Sequence, residues 1–109
     1  MADVRSLAPE EFAHWRESGT KFVLLDVRRD DELELASIPG AVHIPMHEIQ
    51  FRVREIPRDR PVVVMCHRGE RSHRIARFLI TDGFQEVYNL EGGIDEYALR
   101  ADPTIPRYH

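Results

Sequence analysis

The chain has 109 residues, enough to bury one compact core and too few for two. Its formal net charge of -4 argues against a general nucleic-acid binder, which is basic over the domain or along one face. A single cysteine cannot form a disulfide within its own chain, which excludes a disulfide-stapled secreted scaffold.

The opening residues, MADVRSLAPEEFAHW, carry no apolar signal-peptide core, and no apolar run approaches bilayer-spanning length. A cytoplasmic protein with no nucleic-acid and no membrane partner is expected. Neither a repeat nor a low-complexity tract interrupts the chain, so residues 1–109 read as one domain.

Arg5 to Leu7 is a candidate edge strand. Pro9 to Ser18 follows as a helix, with proline and two glutamates in its first turn and Gly19 at its stop. Phe12 and Trp15 face the core. Phe22 to Val27 (FVLLDV) is a nearly continuous apolar run, the pattern of a parallel strand covered on both faces. Asp31 to Ala36 fits a short helix, Ala41 to Ile44 a strand, and His47 to Arg54 a further helix. Pro61 to Met65 (PVVVM) is a second buried strand, and Ser72 to Asp82 the clearest helix. That helix carries Ile75, Ala76, Leu79 and Ile80 on one stripe and stops before Gly83. Glu86 to Leu90 is the last strand and Ile94 to Leu99 the last helix; the tail from about 101 to 109 is an irregular segment packed back on the domain. Alternating strands and helices predict an α/β domain, a central parallel sheet of about five strands with helices on both faces and right-handed crossovers.

The lone cysteine, Cys66, follows directly on the strand Val62 to Met65, at the carboxyl edge where open parallel sheets bind ligands. The next residues, His67, Arg68, Gly69, Glu70 and Arg71, are too polar for a core. They lead into a helix beginning near Ser72, whose unpaired N–H groups and dipole favour an anion. Helix terminus and neighbouring cations both favour thiolate over thiol, so the loop reads as a cradle for an anionic sulfur. From Cys66 to Arg77 there are four arginines against one glutamate, a field that draws in small anions. A cysteine after three valines and a methionine also fits a small buried hydrophobe, but such a residue needs no anion cradle. Arg74 and Arg77 fit the solvated face of the helix and act at most through their field.

Asp26 and Arg28 end a neighbouring strand and belong on the same rim; they either border the pocket or pair with each other to fix the strand end. His43 reads as a satisfied structural residue. The six histidines and one cysteine have no metal-ligand spacing, and neither a metal nor a cofactor is expected.

Cys66-His67-Arg68-Gly69-Glu70-Arg71-Ser72 resembles the C-x-x-G-x-R-S active-site loop of the rhodanese, or sulfurtransferase, family. Leu25-Asp26-Val27-Arg28 is similar to the strand ending in D-V-R, and Glu32 to the acidic residue after it. Ile38 to Pro45 resembles the I-x-G-A-x-x-I-P segment, and Leu90-Glu91-Gly92-Gly93-Ile94 the closing L-x-G-G-I signature. The pattern departs at Ala36-Ser37, where glycine-histidine is common, and at Tyr97, where tryptophan is common.

The resemblance implies a rhodanese-like domain in which Cys66 accepts a sulfane sulfur from a donor such as thiosulfate. The resulting persulfide then passes its outer sulfur to cyanide, a thiol or a sulfur-acceptor protein. Within it, Arg68 and Arg71 would steer and hold the donor's sulfonate, and Gly69 would permit the tight loop. His67 and Glu70 would tune the acceptor. Ser72 would cap the helix, its hydroxyl available to the sulfur. The ending Asp102 to Tyr108 is similar to that of rhodanese domains attached to sulfur-carrier activating enzymes. Two other readings share the features: a non-catalytic rhodanese-like binding module, and a cysteine phosphatase or arsenate reductase-like enzyme. The second requires C-x5-R, whereas Ser72 stands six residues after Cys66 and the arginine comes one earlier.

Overall fold

The structure is a computed structural model that describes residues 3–109. Arg5–Leu7 (β1), Val23–Asp26 (β2), Val42–His43 (β3), Val62–Met65 (β4) and Val87–Leu90 (β5) pair in the order β1-β5-β4-β2-β3. Every pairing is parallel. β4 lies at the centre with all its residues buried, which accounts for its uninterrupted apolar sequence. Asp26 sits opposite Met65 and Asn89 opposite Val64, so β2, β4 and β5 end at one level.

Alternation along the strands divides the core in two. Val23, Leu25, Val62, Val64 and Cys66 pack beneath Ile49, Ile75, Ala76 and Leu79. Leu24, Val63 and Met65 pack on the other face against Leu7, Phe12, Ile94, Tyr97 and Ala98. The helices are Pro9–Ser18 (α1), Asp30–Leu35 (α2), Ile49–Arg52 (α3), Glu70–Thr81 (α4) and Gly93–Arg100 (α5). α3 and α4 thus cover one face, α1 and α5 the other. No helix among the described residues is long and apolar enough to cross a membrane.

The helix expected over His47 to Arg54 is broken up. Only Ile49–Arg52 is α-helical, between 3-10 turns at Met46–Glu48 and Val53–Glu55. Arg52 leaves helical geometry at φ -125°, which carries Val53 against the core and Ile56 into it. Elsewhere the expected elements are present with ends shifted by one or two residues, as hydrophobic periodicity locates a face better than a terminus.

Candidate active site

Cys66 directly follows β4, with 1% of its surface exposed. The chain turns at once, and Gly69 takes φ +100°, a conformation in which a side chain is strained. That turn aims the Gly69 N–H at Cys66 Sγ, 3.0 Å away. The Gly69 carbonyl accepts from the His73 N–H at 3.3 Å, which starts α4 at Glu70 with Gly69 as its N-cap. Ser72 is therefore not the cap that was expected. Gly69 bends the chain three residues sooner, and Ser72 lies inside the first turn. Its buried hydroxyl stands 3.3 Å from Cys66 Sγ and 2.5 Å from Asn89 Oδ1.

The other side of the loop meets a second helix start. Gly92 and Gly93 both have positive φ, at 73° and 62°. The N–H groups of Ile94 and Asp95, in the first turn of α5, donate to the carbonyls of Cys66 and His67 at 3.0 and 3.1 Å. A Cβ on Gly93 would lie 2.5 Å from the Cys66 oxygen and 2.4 Å from that of His67. The double glycine is thus what lets α5 reach the loop. One helix terminus faces the sulfur, and another grips the carbonyls behind it.

Arg71 makes a bidentate pair with Glu32, at 2.6 and 2.9 Å. Glu32 is 2% exposed. It also accepts from the Tyr108 hydroxyl at 2.6 Å and from the Arg29 backbone N–H at 3.2 Å. Burial pushes Glu32 up, but the hydrogen bonds from Arg71, Tyr108 and Arg29 outweigh it and hold the carboxyl at about 2. The same pairing raises Arg71 above its ordinary value. Burial, and then the bond to Glu32, pushes Tyr108 up to about 12.

Asp26 and Arg28 are buried against each other, with Arg28 Nη2 2.7 Å from Asp26 Oδ2. Arg28 also donates to the Ala36 carbonyl at 2.9 Å and to the Tyr108 hydroxyl at 3.1 Å. This is the strand-end ion pair, and Tyr108 ties it to Glu32 and Arg71. The Tyr108 ring stacks on His67 with centroids 3.9 Å apart and planes 10° from parallel, while His67 Nε2 lies 2.8 Å from the Tyr108 carbonyl oxygen. Arg68 and Glu70 are exposed on the loop, as are Arg74 and Arg77 farther along α4. His43 Nε2 sits 2.7 Å from the Arg28 carbonyl oxygen, a structural contact.

Sequence reasoning passed over Tyr108 and Asn89. Tyr108 lies in an irregular tail with no periodicity to mark it. Asn89 did leave a trace, since asparagine is disfavoured in strands and stands here between Tyr88 and Leu90. Beyond Arg71 opens a cavity of about 580 Å³, walled chiefly by Val27, Met46, Ile49, Ile75 and Phe78. Val27, Ile49 and Ile75 belong to the same apolar cluster as Cys66.

A parallel sheet that delivers a buried cysteine into a loop held between two helix N-termini, with a backbone N–H on its sulfur, defines an α/β protein with a cysteine-centred loop. The sequence model of the rhodanese-like domain matches residues 8–100. A sulfurtransferase of Allochromatium vinosum is 40% identical over 76% of this chain and 78% of its own length. The thiosulfate sulfurtransferase GlpE of Pseudomonas syringae is 37% identical over 87% and 88%. Among solved structures, the thiosulfate sulfurtransferase from Pseudomonas aeruginosa superposes with a TM-score of 0.83 at 30% identity, over 97% of this chain and 21% of that one. The chain belongs to the rhodanese-like family.

Proposed function

We propose that this protein transfers a sulfane sulfur from a small anionic donor such as thiosulfate to a thiophilic acceptor through a persulfide on Cys66. The observation that carries the reading is the Gly69 N–H aimed at Cys66 Sγ from the start of α4. A backbone donor preorganised on a sulfur stabilises negative charge there with no reorganisation during the reaction.

The Cys66 thiolate attacks the outer sulfur of thiosulfate. A new S–S bond forms, and the old one breaks with its electron pair leaving on sulfite. The terminal sulfur of the persulfide remains anionic in the same amide cradle. Cyanide, a thiol or an acceptor protein then attacks that sulfur and regenerates the thiolate. Arg68, exposed on the loop, steers the donor, and Arg71 offers the face of its guanidinium not taken by Glu32. His67 and Glu70 shape the entrance for the acceptor. The burial of Cys66 favours donors slender enough to present one sulfur at the end of a narrow approach.

Intact mass after incubation with thiosulfate tests the reading. The wild type gains one sulfur atom, which cyanide or dithiothreitol removes, and Cys66→Ser gains none. A wild type that gains nothing overturns it. With a single cysteine there is no internal thiol to resolve the persulfide, so the adduct persists until an external acceptor is added.

A further inference from the structure

The Ser72 hydroxyl has one proton and two acceptors in reach: Asn89 Oδ1 at 2.5 Å and Cys66 Sγ at 3.3 Å. Asn89 cannot turn its amide over to relieve the conflict. Its Nδ2 donates to the Gly69 carbonyl at 3.1 Å, and a flip would set two oxygens against each other. While Cys66 is a thiol every group can be satisfied: across the same 3.3 Å contact the S–H can donate to Ser72 Oγ, which frees the Ser72 O–H to donate to Asn89. When the sulfur loses its proton, the Ser72 hydroxyl must swing to the sulfur to support it, and Asn89 Oδ1 is left without that donor.

We propose that Asn89 is a positioning residue for Cys66: it competes with the sulfur for the Ser72 proton and so sets the balance between thiol and anionic sulfur in the loop. It acts through Ser72 and does not touch the reacting atom. Register makes the arrangement possible, since β5 pairs with β4 and places Asn89 opposite Val64, two residues before the cysteine. The charged and titratable groups around the loop are His67, Arg68 and Glu70 within it, Arg71 on α4 with its partner Glu32 on α2, Asp95 on α5, and Tyr108 from the tail. None of them is hydrogen-bonded to the Asn89 side chain, which meets Ser72 and the Gly69 carbonyl.

The inference rests on Cys66 being the reacting group, and its test reads ionisation rather than sulfur transfer, so the two can fail separately. Cys66 is the sole cysteine, and the ultraviolet absorbance of its thiolate, taken against Cys66→Ser across a pH series, reports it alone. In Asn89→Ala the ratio of thiolate to thiol at a fixed pH rises about five-fold, the worth of one hydrogen bond. In a Ser72→Ala background the same change at position 89 has no effect. A rise that persists without Ser72 would come from local opening, and it overturns the proposal, as does a ratio unchanged or lowered in Asn89→Ala. Asn89→Leu, close in size and without an acceptor, raises the ratio in the same way; it decides the matter if the alanine variant fails to fold, and a ratio unchanged or lowered there is equally fatal.

Discussion

The Tyr108 hydroxyl donates to Glu32 at 2.6 Å across a sequence separation of 76 residues, and Glu32 holds Arg71 with the same carboxylate. The tail is thereby coupled to the cysteine loop at two points, through this carboxylate and at His67, where the ring stack is joined by the contact of Nε2 with the Tyr108 carbonyl. A chain segment with no regular structure helps to set the position of a guanidinium at the site.

Tyr108→Phe separates these two links. Phenylalanine keeps the stack and loses the hydroxyl, and stability should fall by about 1–2 kcal/mol, the cost of the hydrogen bonds to Glu32 and from Arg28. Tyr108→Ala should cost more, and should raise the KM for thiosulfate by freeing both His67 and the Glu32–Arg71 pair. Urea unfolding with steady-state kinetics checks both. Variants that match the wild type in both assays would show the coupling to be idle.

Arg71→Ala leaves Glu32 a buried carboxylate with its strongest partner gone. We expect a loss of about 3 kcal/mol in stability and a fall of roughly ten-fold or more in persulfide formation, the worth of one charge-assisted hydrogen bond. Adding Glu32→Gln should recover much of the stability and none of the activity. That split distinguishes the structural part of Arg71 from its part in holding the donor, and a double-mutant cycle measures it. Equal recovery of both would remove Arg71 from the donor site.

Acid should unlock the same carboxylate. Glu32 is held at about 2, below its ordinary 4.5, so its folded form binds a proton less readily than its unfolded form. Its contribution, on the order of 3 kcal/mol, is present above the unfolded value and lost as pH falls from about 4.5 towards 2. The stability difference between wild type and Glu32→Gln, followed by denaturant titration, should shrink across that window and stay flat from pH 5 to 7. A difference that grows on acidification would contradict the assignment.

Two glycines should respond unequally to alanine. At Gly19 the backbone is left-handed, at φ +75°, but a Cβ meets nothing within 4 Å; the cost should be about 1 kcal/mol. At Gly93 the Cβ runs into the carbonyls of Cys66 and His67. Gly93→Ala should cost more than about 2 kcal/mol and should abolish persulfide formation by displacing the loop. Thermal unfolding ranks the two, and mass spectrometry reads the second effect.

The division between legible and hidden features follows from how far each signal extends along the chain. β4 and α4 were legible because their neighbours in space are their neighbours in sequence: three consecutive valines mark a covered strand, and Ile75, Ala76 and Leu79 mark a helix face. Cys66 was legible for the same reason, lying between that strand and a polar, glycine-containing turn. Local signals did less well at the start of α4. Serine is a common cap, yet Gly69 took the role, because the chain turns there at φ +100°, three residues before Ser72, with the Gly69 N–H on the sulfur.

What the sequence by itself determined was the order of strands and helices along the chain, the place of Cys66 at the carboxyl edge of the sheet, and the glycines, Gly19 and Gly83, at which two helices stop. Those properties arise from periodicity and backbone conformation, which act over a few residues. Only the tertiary structure decided that Asn89 meets Ser72 across β4 and β5, that Glu32 closes on Arg71, and that Tyr108 binds them from the tail. Such polar contacts between distant segments depend on register and chain crossing, and no local pattern encodes which partner a buried polar group will find.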